Sequence, residues 1–311
     1  MELLTVKETS DAWGVSERMI RRLCSEGRVP NAILDNNAWL IPAGTMKPGR
    51  KPRSKNNKPK VKVPTVPMPP LAKRVLQQRI KNTHYDIYEY IQVNLTYSSN
   101  RMGSNRLTRN EVEQVYRTNK ITTTFEPVKV DDIIETINHF SAIRYVIEHI
   151  PDKLTQTLIK KIHFILTYGT YADRKEKISS GSYRTRKSKM GIRASQIETT
   201  VADLLKEYEN EAATMECILD FHVRFEKIHP FEDYNGRVGR LIMLKECLRH
   251  GVVPFIIDDK HRGAYNRGIA SWSEDHDILL SVSLDAQKRF QGKLEVYNIL
   301  QNSRSSNDSG V

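Results

Sequence analysis

One stretch limits what this chain can fold into. From Met215 to Phe225, Met215, Ile218, Leu219, Phe221, His222 and Phe225 recur at three- and four-residue spacing, which predicts a helix. A second apolar run, Leu241 to Leu248, predicts another. Between them stands Ile228-His229-Pro230-Phe231-Glu232-Asp233-Tyr234-Asn235-Gly236-Arg237-Val238-Gly239-Arg240. Pro230 cannot continue a helix and turns the residue before it out of the helical region. The stretch therefore reads as helix–loop–helix, with the loop over 229–235, Asn235 as N-cap and the second helix starting at Gly236.

That geometry offers a specific chemistry. A helix N-terminus presents unpaired N–H groups and the positive end of the dipole, and so binds anions. Gly236 lets a phosphate approach the backbone. Arg237 and Arg240, three apart, share a helix face and suit a di- or triphosphate. Asp233 is a carboxylate placed to hold Mg²⁺, and His229 has a pKa suited to a general base. His-Pro alone is an ordinary turn, and Arg-x-x-Arg alone an ordinary solvated face. Their joint occurrence in this order points to a transferase that uses a nucleotide.

These residues resemble the signature of the Fic family, His-x-Phe-x-(Asp/Glu)-Gly-Asn-Gly-Arg-x-x-Arg, with Tyr234 where the family has Gly. The likeness runs from about residue 75 to the last helix and implies a mainly α fold: an all-helical Fic domain with a small β-hairpin flap. Most such domains transfer AMP from ATP to a protein hydroxyl. The resemblance implies His229 as general base and Asp233 as the ligand of Mg²⁺ or Mn²⁺. It puts Asn235, Gly236, Arg237, Gly239 and Arg240 around the phosphates, Phe231 in the core as an anchor, and Tyr265 at the adenine. A positive φ at position 234 would strain a tyrosine. Residues 181–193, Gly-bounded and β-prone, are expected to form the flap hairpin. In many relatives a Glu at the position of Gly103 pairs with the second motif arginine and blocks ATP; this chain keeps that frame without the acid.

The rest of the chain divides around its charge. Net charge is +12 over 311 residues. Much of it lies in residues 46–70, where eight Lys and Arg and seven Pro occur without an acid, which predicts a disordered linker. Before it, residues 1–45 read as helix (6–13, with Ala12 and Trp13 inward), turn, basic helix (16–26, closed by Gly27) and a hairpin about Asp35-Asn36-Asn37. They resemble a winged helix-turn-helix of the MerR and excisionase type. Arg18, Arg21 and Arg22 share one face there. After the linker come a long helix over 71–93 (Leu71, Val75, Ile80, Ile87 and Ile91 inward), a helix from Glu111 to Tyr116 capped by Thr108, helices over 130–149, 153–168 and 196–228, the motif, and a last helix over 275–300. Residues 71–302 make up the Fic-type domain and 303–311 a disordered tail. There is no run of eighteen apolar residues and no signal peptide, and Cys24, Cys217 and Cys247 are scattered. These features place the chain in the cytoplasm, off the membrane.

Two functions of different class follow. The first is a protein adenylyltransferase using ATP and Mg²⁺, acting on a Ser, Thr or Tyr hydroxyl of a target protein, the chain itself included. The second is a DNA-binding regulator, held to DNA through residues 1–62, whose Fic-like domain is inactive or senses nucleotide. A Fic enzyme with another phosphate-linked donor is a variant of the first. The sequence leaves oligomeric state open.

Overall fold

The computed structural model describes residues 3–25, 28–35, 38–48, 68–122, 127–211 and 213–308, the last with side chains to 298. The chain divides into two compact units, Met1–Lys60 and Val61–Val311. In the first, β1 (Leu3–Thr5) leads into α1 (Val6–Trp13), α2 (Glu17–Ser25), β2 (Ile33–Asp35) and β3 (Ala38–Pro42). Thr5 and Glu8 form a capping box at the start of α1, and Gly14 closes it at φ +60°. β3 is the centre of an antiparallel sheet of order β1-β3-β2, with Leu4 opposite Ile41 and Leu34 opposite Trp39. The edge strand β1 carries no alternation long enough to be read from sequence.

Val6, Ile20, Leu23, Cys24, Val29 and Ile41 form this unit's core. The inner side of α1 is Val6 and Thr9, with Trp13 half-buried; Ala12 is exposed, against the sequence expectation. Arg18, Arg21 and Arg22 are exposed, and Arg21 pairs with Glu17 at 2.5 Å. The hairpin tip at 36–37, Gly27 and the arm from 49 to 67 lie outside the described residues.

The second unit is helical: α3 (Pro70–Lys81), α4 (Ile87–Met102), α5 (Arg109–Thr118), α6 (Val130–Glu148), α7 (Gln156–Thr167), the short α8 (Tyr171–Arg174), α9 (Ile197–Glu209), α10 (Met215–Ile228), α11 (Asn235–His250), α12 (Arg262–Ser271) and α13 (Asp277–Asp308). The single helix expected over 71–93 is two. Asn82 closes α3 in the left-handed region, and the Asp86 side chain caps α4 at Glu89 N–H. Within α3, Ile80 lies off the face formed by Ala72, Val75 and Leu76, so it is exposed while they are buried. The segment 196–228 is likewise broken, at Thr214, which caps α10. Thr108 and Glu111 form the expected capping box on α5. The backbone of α13 runs on to Asp308, through much of the stretch expected as a tail.

α11 is the axis of this unit. It is buried without interruption from Arg237 to Leu248 and packs on α10, α4, α6 and α7. A helix covered on all sides needs neighbours on all sides, and the apolar core gathers around it. None of the described helices is long and apolar enough to cross a membrane.

Candidate active site

The loop between α10 and α11 is held from within. His229 ends α10 at φ 52° and Tyr234 precedes α11 at φ 65°. Asn235 is the first helical residue, not the N-cap. Its amide spans the loop instead, with Oδ1 accepting from Phe231 N and Nδ2 donating to Phe231 O, both at 2.9 Å. Phe231 is fully buried and stacks on His163, ring centroids 3.8 Å apart. His163 Nδ1 accepts from Gly181 N at 3.0 Å, and burial pushes that imidazole down to about 3.

Tyr234, in cap position, makes no side-chain cap bond, so the first N–H groups of α11 stay open. They face a cavity of about 220 Å³ whose lining includes His229, Asp233, Asn235, Gly236, Arg237, Arg240 and Tyr265. Every site residue read from the sequence except Gly239 is on that wall. Gly239 turns away: a Cβ there would lie 2.4 Å from His222 Nδ1. Its lack of a side chain serves packing.

The two arginines are held differently. Arg240 Nε donates to Ser99 Oγ at 2.9 Å and Nη2 to Ser99 O at 3.1 Å. Its Nη1 lies 3.0 Å from where a Gly236 Cβ would be, so Gly236 gives it room. Arg237 lies 3.5 Å over the Tyr234 ring and 3.1 Å from Glu135. Glu135 also accepts from Tyr234 OH at 2.7 Å and from Asn105 at 3.0 Å. The strain of a tyrosine at positive φ is thus offset by two contacts, one of its ring with Arg237 and one of its hydroxyl with Glu135. Gly103 faces Arg237, not Arg240: a Cβ there would lie 3.1 Å from the Arg237 guanidinium carbon.

His229 is half-buried, with its Nδ1 enclosed. Burial and the Arg184 guanidinium push its pKa down, against the pull of Asp233. Arg184 Nε donates to His229 O at 2.8 Å. Segment 181–193 lies along this loop through Arg184 N to Pro230 O (2.9 Å) and Ile192 N to Ile228 O (3.3 Å). It doubles back through turns and forms no strand ladder, because its backbone bonds go to the motif loop; the only strands among the described residues are in the first unit. Glu226 is half-buried, with Oε1 enclosed and unpartnered near Gly236 and Gly239, and burial pushes its carboxyl up to about 7. Tyr265 is buried, its hydroxyl on His222.

Ser99, Glu135, Arg184 and Glu226 were not legible as site residues. Glu226 alone carried a signal, three residues before His229 on one helix face. Among the described residues no three His, Cys, Asp or Glu cluster as a metal site. Mg²⁺ takes one or two protein carboxylates and completes its shell with phosphate and water, a pattern that exposed Asp233 on the cavity wall fits.

Residues 153–247, from just before α7 through most of α11, match the family model described as Fic/DOC family. Among solved structures, the fold is similar to a Fic domain-containing signaling protein from Bacteroides thetaiotaomicron (TM-score 0.58, 17% identity, 72% of this chain and 94% of that one). It is also similar to Fic-1 from C. elegans (0.57, 15%, 72% and 69%) and to a Fic family protein from Desulfovibrio desulfuricans (0.50, 20%, 78% and 77%). No curated protein matches this sequence. On the family match and the shared fold, this chain carries a Fic/DOC domain.

Proposed function

We propose that the domain is a protein adenylyltransferase, moving AMP from ATP to a Ser, Thr or Tyr hydroxyl of a target protein. Fic domains typically transfer a nucleoside monophosphate to proteins. The observation that carries the reading is one cavity wall holding an uncapped helix N-terminus, two arginines, an exposed carboxylate and a half-buried histidine.

The phosphates sit on the open N–H groups of α11, where the helix dipole favours negative charge. Arg240, oriented by Ser99, offers Nη1 to an outer phosphate oxygen. Arg237 is already paired with Glu135, so it positions more than it neutralises. Mg²⁺ held by Asp233 supplies charge neutralisation of the phosphates. His229, kept neutral by its lowered pKa, takes the proton of the attacking hydroxyl. The hydroxyl oxygen bonds to the α-phosphorus, the bond to the bridging oxygen breaks, and pyrophosphate leaves. Tyr265, on the same cavity wall, lines the base.

ATP labelled separately at the α and γ phosphates tests this. Label from the α position should reach protein, and His229→Ala should lower the rate by roughly 10²–10⁴. Label from the γ position alone would make the domain a phosphotransferase. An unimpaired His229→Ala would remove that residue as the base.

A further inference from the structure

A second cavity, of about 510 Å³, lies in the helical domain and shares no lining residue with the first. It opens between the ends of α3 and α5, the first half of α4 and the middle of α6. Its volume is in the range of small-molecule sites.

Its walls combine apolar and unpaired polar groups. Tyr116 meets Phe140 edge-on at 5.2 Å, and Val115 is buried beside them. Gln92, 1% exposed, donates Nε2 to Tyr88 OH (2.7 Å) and Phe140 O (3.3 Å), and its Oε1 receives nothing among the described residues. Tyr88 is also buried; its oxygen accepts that bond, and its own proton has no acceptor among the described residues. Arg144 is exposed and makes no ion pair among the described residues. The other two arginines on the wall are engaged, Arg79 by Glu148 and Arg117 by Glu89 and Glu113. Arg144 lies close enough to oppose the burial-driven rise in pKa of both the Tyr88 and Tyr116 phenols.

One exposed cation, one buried phenol and one enclosed, unpartnered amide oxygen therefore line a cavity with an aromatic wall. Buried polar groups without partners are rare and call for a ligand or ordered water. We propose that this cavity is a second ligand site, built for a small planar anion that also carries an N–H donor. The anion takes Arg144 and the Tyr88 hydroxyl, the N–H goes to Gln92 Oε1, and the planar body lies against Tyr116 and Phe140. Nothing in this assignment depends on the transfer chemistry.

Two probes fit the description: p-aminobenzoate, and AMP as a planar base with a phosphate. Inorganic phosphate is the control for charge alone. Binding to the full chain is measured by calorimetry and ligand-observed NMR. At least one planar probe should bind, with affinity at least tenfold weaker in Arg144→Gln, weaker in Tyr88→Phe, and unchanged in Arg240→Ala. Arg144 is exposed, so its replacement leaves the core intact. The proposal is overturned if neither planar probe binds at millimolar concentration, or if binding ignores Arg144→Gln. It is equally overturned if AMP is lost with Arg240→Ala instead, or if inorganic phosphate binds as well as the planar probes.

Discussion

Gly239→Ala sets two effects of similar size against each other. Alanine in a helix interior is favoured over glycine by about 1 kcal/mol. The new Cβ would stand 2.4 Å from Nδ1 and 2.6 Å from Cε1 of His222. Ordinary contact is roughly 3.5 Å or more, so ring and helix must part by about 1 Å. His222 cannot swing clear: it is fully buried and tied through Nε2 to Tyr265 OH. Overpacking of this kind costs about 1–3 kcal/mol, and the backbone of two packed helices has little give. The cost should win, for a net loss of up to about 2 kcal/mol. Because the displaced ring pushes on Tyr265, nucleotide affinity should fall too. Gly292, in α13, is the control, since a Cβ there meets nothing within 4 Å. Gly292→Ala should gain up to about 1 kcal/mol. Urea unfolding of the helical domain, followed by circular dichroism, reads both. If Gly239→Ala matches or exceeds the parent midpoint, the close packing of α10 on α11 at this point is not as described.

Gly103→Glu should place its carboxylate against Arg237, in competition with Glu135, and add a like charge near the phosphates; initial transfer should fall at least about tenfold, and an unchanged rate would refute the placement of Gly103. Asp233→Ala should weaken both transfer and its dependence on Mg²⁺, whereas undiminished transfer by the parent in excess chelator would remove the metal role. His163 and His222, pushed down to about 3, and His139, also lowered by burial, are neutral in the fold and titrate near 6.5 when unfolded. Their stability is full above that value and lost as pH falls from about 6.5 toward 3. Glu226, raised to about 7, acts in the opposite sense and loses stability as pH rises through the window above its unfolded value. Acidification should therefore lower the urea midpoint, and more steeply in Glu226→Gln; a flat profile from pH 6.5 to 4 in both would contradict the burial of these histidines.

The motif helices could be read because their signals are local: apolar spacing, then a proline, then more apolar spacing. The capping box at Thr108 was legible for the same reason. The α3–α4 break was not, because Val75, Ile80, Ile87 and Ile91 keep helical spacing across it; the punctuation lay in Asn82 and Asp86, whose side chains favour helix ends. Segment 181–193 misled through composition, since β-prone residues form a ladder only if a strand is free to pair, and here the available carbonyls are Ile228 and Pro230. Ser99 and Glu135 reach the motif arginines from α4 and α6, and nothing near them in sequence announces it.

Tyr234 has a consequence for how this chain can change over generations. A glycine there would answer one demand, the left-handed backbone. The tyrosine pays a steric cost of about 1 kcal/mol or more and in return supports Arg237 from below, engages Glu135 and meets His163 edge-on. With those partners present, replacement by glycine in a single step leaves Glu135 without a hydroxyl and Arg237 without a floor. Loss of Glu135 alone leaves a buried phenol and a guanidinium without their acceptor. Positions 135, 234 and 237 are therefore energetically coupled. Among descendants of this sequence, glycine at 234 should arrive only together with a changed residue at 135.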